Sequence, residues 1–336
     1  FLAVDANAIV LAGPDPHAQA QKAIALAAEL AHVVPAPQVG MGPALPLLDR
    51  DLSILAFNER VLSWAERKDV PLLERLRYLC IVSSNLDEWF EVRSAPHVAV
   101  AQTGEERDSY TRTRFAALMD KAQALVAQQY QIYNQALIPA FHTHGIRLIS
   151  HGERNAAQRR WVHEYFLREV QPLLVPVGLD PSHPFPQVAN KALNFIVRLD
   201  GVDAFGRANE VAIVKVPRAL PRLIPMPQKI AGKQRLFVSI SSIVRAHLAE
   251  LFPGREVTEF SQFRVTRNSD LAVDEEDVIN LRMALRQGLH HRHYGQAVRL
   301  EVSASCSAVL ANVLLQQHGL PQQALFRVKG PVNLVR

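Results

Sequence analysis

Cysteine is nearly absent. Cys80 and Cys306 are the two in 336 residues, far apart and in no CxxC pair, which argues against a disulfide scaffold or a zinc site and fits a reducing, cytoplasmic setting. No run reaches the ~18 to 20 consecutive apolar residues of a membrane span, so no transmembrane segment is expected. The 15 glycines never group into GxxxxGKS/T, nor into GxGxxG after a strand pattern, which argues against P-loop and Rossmann nucleotide sites. No internal repeat is visible. Neither sign of charge dominates: a formal net charge of +5 is compatible with a polyanionic partner but calls for no nucleic acid.

What is present suits a globular chain of about two domains, with 49% apolar and 21% charged residues. Residues 1–46 are rich in Ala and Pro; Ala18 to Ala31 has a helical pattern, and the Pro and Gly after it read as a linker. No chemistry is legible there, and a start at Phe1 reads as a piece of a longer protein. Asp49 to Arg93 reads as three short helices. The first starts near a capping Ser53 and has Phe57, Val61, Trp64 and Ala65 as its apolar face. The second starts at Pro71 and buries Leu72, Leu76, Leu79 and Cys80. After Ser83-Ser84 a third begins, with Asn85 and Glu88 spaced as a capping box. Asn85 would then stand at a helix mouth, as a plain cap or as the holder of a polar ligand edge or phosphate.

Beyond Arg93 a long helical stripe runs from Phe115 to Leu137, ended by Pro139 and Gly145. Strands are expected at Ile146–Ile149, Phe195–Leu199, Val211–Val216, Leu236–Ile240, Phe263–Asn268 and Ala297–Val302. Helices are expected at Glu153–Val170, Ser242–Phe252, Glu275–His290 and Ser307–His318. The fold class is therefore α+β, with a small all-α domain over 47–103 and a mixed α/β domain over 104–328. Residues 329–336 would open a connection onward.

DLSxLxFNERVLxxA, PLLERLRYL and SSNLDEWFEVR, in this order and spacing, resemble the opening of the long, histidine-phosphorylating polyphosphate kinases. DPSHPFPQVANKALNF, VPRALPRLIP, FRVTRNSDLAVDEEDV, YGQAVRLEV and FRVKGPVNL are similar to segments of that family's head domain, so the resemblance covers residue 47 to the end. It implies an enzyme that reversibly transfers the terminal phosphate of ATP to inorganic polyphosphate through a phosphohistidine, with Mg2+. It also implies that the catalytic histidine and the metal ligands belong to two phospholipase-D-like domains beyond Arg336, so that this piece alone is inactive. The piece would contribute to the base pocket, pair two copies through the head and guide the polymer. The match of SSNLDEW to the family's SNNLDEF carries a nucleotide contact onto Asn85, with Tyr78 as apolar cover; Ser84 and Trp89 depart from that pattern. A different class of reading is a free-standing, non-catalytic module that binds a polyanion or a protein partner.

Three further clusters hold residues capable of chemistry. His183 resembles a phosphoryl acceptor beside Asp180, but three prolines in Asp180–Pro186 favour a rigid connection with a structural histidine. Asp274 to Asp277 reads as the acidic first turn of a helix rather than a metal site. His290, His291 and His293 with Arg282, Arg286, Arg292 and Arg299 form a cationic cluster, open to a solvated face, a polymer-guiding patch or a metal. No catalytic or metal-binding residue is assigned.

Overall fold

The computed structural model describes residues 48–179, 184–202, 206, 210–269 and 295–335. Helix α1 (Arg50–Glu66) starts earlier than Ser53 because Asp49 is its cap: Asp49 Oδ1 accepts from the Leu52 N–H at 2.9 Å, and Ser53 Oγ donates back to the Asp49 carbonyl. Its buried stripe is Asp51, Leu55, Asn58, Leu62 and Ala65, while Phe57 and Trp64 face outward. The expected stripe was turned because two of the buried positions are polar, and hydrophobic periodicity does not register those. Asp51 is fixed by Arg93 Nε at 2.5 Å, by Trp89 Nε1 and His97 Nε2 at 3.3 Å each, and by Arg114 at 3.6 Å, which satisfies a buried carboxylate.

Helix α2 (Leu72–Arg93) is one helix through Ser83-Ser84, not two. Ser83 is buried, and its hydroxyl accepts from Gln129 Nε2 at 2.6 Å, so it makes a tertiary bond instead of competing for its own backbone. Leu79, Val82, Leu86, Trp89 and Phe90 carry the apolar stripe past this point. Asn85 is therefore an interior residue with no capping box, and its turn offers no free N–H groups to a phosphate. Arg75 Nε donates to the Ala65 carbonyl at 2.8 Å, closing the last turn of α1 from the neighbouring helix.

Helix α3 (Ala95–Thr103) leads to α4 (Arg112–Ile132), which packs on α1. A π turn at Tyr133–Leu137 joins α4 directly to α5 (Ile138–Thr143), so Pro139 sits inside the run and only Gly145, at φ 70°, ends it. The wider turn absorbs the backbone mismatch that proline brings. After β1 (Ile146–Leu148) comes α6 (Ala156–Tyr165), opened by an Asn155/Gln158 capping box and extended by a π turn at Phe166–Val170.

The large sheet uses β2 (Val175–Gly178), β3 (Asn194–Asp200), β4 (Val211–Lys215), β7 (Glu256–Arg267), β8 (Ala297–Ser303) and β9 (Leu325–Val328), in the order β2-β4-β3-β7-β8-β9. Its pairs are antiparallel except β8 with β9. A smaller sheet, β1-β6-β5, uses β5 (Leu223–Pro225) and β6 (Arg235–Ser239). α7 (Gln228–Ala231) lies between β5 and β6, and α8 (Ile240–Ala246) follows β6; α9 (Ala308–His318) precedes β9, with Ser307 as its cap. β2 and β5 escaped sequence reading because each is short and carries a proline, tolerated since both are edge strands. The expected Ser242–Phe252 helix begins at Ile240 and breaks into a 3-10 turn at Leu248–Leu251. His183, Asp274–Asp277 and the expected 275–290 helix and His290–His293 cluster lie outside the described residues.

Helix α2 lies against β7 and β8, and one apolar core runs from Leu55 through Phe90 to Leu334. The fold is thus α+β. Phe90 meets Phe326 edge to face at 5.4 Å, joining the helical part to β9. At the chain's far end, a Cβ on Gly330 would stand 2.9 Å from the Tyr130 ring, whose hydroxyl donates to the Pro331 carbonyl. Only glycine lets the KGPVNL segment approach α4 this closely.

Candidate functional site

Asn85 projects from α2 toward α1. Its Nδ2 donates to Asn58 Oδ1 at 2.9 Å, and Asn58, fully buried, is itself oriented by donating to the Ile54 carbonyl. This spends one donor of the Asn85 amide. Among the described residues its oxygen accepts no hydrogen bond, so an acceptor and a second N–H stay available on a half-buried residue. Tyr78 is on the same helix, two turns earlier on the same face, rather than on a preceding one. It stacks on Trp64 at 5.7 Å, with Arg67 over the other ring at 4.3 Å. Ile81 occupies the turn between Tyr78 and Asn85, so it is the apolar surface next to the amide, and the Tyr78–Trp64 pair lies about 10 Å away along the axis.

On the neighbouring face, Ser84 and Asp87 border a cleft of about 250 Å³ with Lys191, Pro217, Arg218, Arg222 and Asn333. Lys191 and Asn333 have φ of 57° and 79°, a left-handed conformation that costs a lysine roughly 1–2 kcal/mol. Two such residues facing one cleft mark a place where backbone strain is held by its surroundings. Lys191 Nζ is held 2.9 Å from Glu91 Oε2, and Arg218 donates to the Asn190 carbonyl. Every lining segment comes from a motif quoted above: SSNLDEW, ANKAL, VPRALPR and GPVNL. Sequence reading passed over Asn58, Lys191, Arg218 and Arg222. Asn58 had one signal, a polar residue at stripe spacing between Leu55 and Leu62.

Beneath the cleft, Asp87 accepts from Arg264 Nη1 and Nη2 at 2.8 Å each and from Arg299 Nη2 at 2.8 Å. Glu301 accepts from Arg299 at 2.6 Å and also from Arg264. All four side chains are buried. Burial by itself would raise the Asp87 carboxyl, but Arg264 and Arg299 outweigh it and hold it below the usual carboxylate range. Burial likewise opposes the charge on Arg264, and Glu301 and Asp87 more than restore it. Two acids and two guanidiniums balance, so this network positions α2 and leaves no free charge for a ligand.

The model of the polyphosphate kinase N-terminal domain matches residues 47–149, and that of the polyphosphate kinase middle domain matches residues 157–336. The chain belongs to the polyphosphate kinase family. A polyphosphate kinase of Neisseria meningitidis serogroup B is 50% identical over 294 residues, covering 86% of this chain and 43% of the relative. One from Burkholderia vietnamiensis is 47% identical over 302 residues, covering 88% and 44%. The crystal structure of the polyphosphate kinase from Porphyromonas gingivalis superposes with a TM-score of 0.70 at 26% identity, over 87% of this chain and 40% of that one. The chain spans less than half the length of these polyphosphate kinases. Among its described residues no helix is long and apolar enough to cross a membrane.

Proposed function

We propose that this chain is the nucleotide-recognition and scaffold portion of an enzyme that reversibly transfers the terminal phosphate of ATP to polyphosphate through a phosphohistidine. The nucleophile and the Mg2+ ligands belong to residues outside it. Asn85 takes the polar edge of adenine: the free amide oxygen suits an exocyclic amine, and the remaining N–H suits a ring nitrogen. Ile81 gives the base its nearest apolar contact, and Tyr78 on Trp64 extends that surface. The cleft cations Lys191, Arg218 and Arg222 suit an anionic chain passing beside Ser84, and the head pairs two copies. The observation that carries this reading is the meeting of four family motifs, one of them the motif that carries Asn85, around one strained, basic cleft.

Because Asn85 is an interior helical residue, the informative comparison is Asn85→Ala against Asn58→Ala in the full-length enzyme. Both break the same amide pair and lower stability by roughly 1–3 kcal/mol, since each leaves a half-buried or buried polar group unpaired. Only Asn85→Ala also removes the ligand contact. It is expected to raise KM for ATP about fivefold, the worth of ~1 kcal/mol, with a smaller rise in Asn58→Ala. Equal KM values in the two variants would leave Asn85 a structural residue.

A further inference from the structure

Away from the cleft, the end of α6 faces the turn that follows α8. His163 lies on the last turn of α6; His247 closes α8, and Glu250, three residues on, lies in the 3-10 turn. One donor atom from each of the three falls within 4.8 Å of the other two. His247 is buried, its ring stacked 4.3 Å from Phe166 at 9° between planes, while its Nδ1–H donates to the Ile243 carbonyl at 2.8 Å. A carbonyl can only accept, so the tautomer is fixed and Nε2 is left with its lone pair. Metal-ligating histidines are held in this way, with one ring nitrogen bonded to an outer partner and the other aimed at the ion. His163 also stacks on His247, at 5.3 Å between ring centroids, and its Nδ1 stands 3.6 Å from Glu250 Oε1.

We propose that His163, His247 and Glu250 form a binding site for a zinc-class divalent cation, which staples the end of α6 to the turn after α8. Two imidazoles and a carboxylate suit a first-row dication with a fourth position left to water; Mg2+ prefers an all-oxygen shell. Bonds of about 2.0–2.1 Å in a tetrahedron put ligand atoms about 3.3 Å apart. Closure from the observed spacing falls to His163 and Glu250, which are 48% and 39% exposed and free to change rotamer, whereas His247 stays fixed. Arg154 is a fixed cation nearby, and the Glu250 carboxylate supplies the offsetting negative charge.

The test is calorimetric titration of the untagged chain with Zn2+ and, in parallel, Co2+, whose visible absorption reports tetrahedral nitrogen and oxygen ligation. Because His290, His291 and His293 could also bind Zn2+, their triple replacement by Asn serves as the control. We expect binding of one Zn2+ that survives this control, raises Tm as a ligand selective for the folded state must, and is not reproduced by Mg2+. His163→Ala and Glu250→Gln, both at exposed positions, should each weaken it at least about tenfold, the least that loss of even an outer partner brings. The absence of Zn2+ binding, unchanged affinity in either variant, or binding abolished by the triple control would each overturn the proposal.

Discussion

His318 closes α9 with its ring edge-on to Phe185 at 5.2 Å and its Nε2 buried without a partner among the described residues. Burial, and next to it Arg267, push it down to about 4. Its unfolded value is near 6.5, so the unfolded chain takes up this proton first as the medium is acidified. Stability from the neutral ring is complete above about pH 6.5 and is lost as pH falls from there toward 4. His318→Gln should therefore flatten the decline of Tm across that window, leaving the smaller slopes of His97 and His247, which burial also depresses. Parallel Tm curves for the two proteins would mean that His318 is solvated. Single residues such as this one were poorly legible in sequence. Asn85 was found through its motif, but its partner Asn58 and the trio His163, His247 and Glu250 are set by contacts 27 to 87 positions apart, which local spacing does not encode.

At the scale of elements, α2 is pinned to β7 and β8 through Asp87, whose two oxygens hold Arg264 and Arg299. Asp87→Ala would leave two buried guanidiniums sharing Glu301, and removal of one partner from such a network typically costs about 3–5 kcal/mol. Glu59→Gln, which breaks the half-exposed pair with Lys121, should cost under about 1 kcal/mol. Urea denaturation of both variants measures the contrast. Similar losses would show that the Asp87 network contributes no more than a surface ion pair. The elements themselves were largely legible: β3, β4, β6, β8 and α9 lie within a residue or so of the hydrophobic pattern that announced them. Errors fell where tertiary bonds overrode local chemistry. Ser83 is kept helical by Gln129, Pro139 by a π turn, and the buried Asp51 by its arginines.

For the whole molecule, the question is which part of phosphoryl transfer these residues can perform. That chemistry needs a nucleophile, charge neutralisation at the transferring group and in-line positioning to act together. Among the described residues, the Ser84 cleft is lined by no histidine, and its one carboxylate, Asp87, is engaged by two arginines. Lys191 and Arg218 are tethered to Glu91 and to the Asn190 carbonyl, an arrangement suited to holding an anion steady. The proposed function therefore predicts that the chain binds ATP or polyphosphate weakly and transfers nothing. Incubated with γ-labelled ATP, Mg2+ and a polyphosphate primer, it is expected to leave all label in nucleotide or free phosphate at the background rate. Supplying the remaining residues of the enzyme, in one chain with it, should restore label in polymer. Label in polymer from this chain alone, or held on one of its histidines through acid-free gel filtration, would move the nucleophile into these 336 residues and return His183 and the His290–His293 cluster to contention.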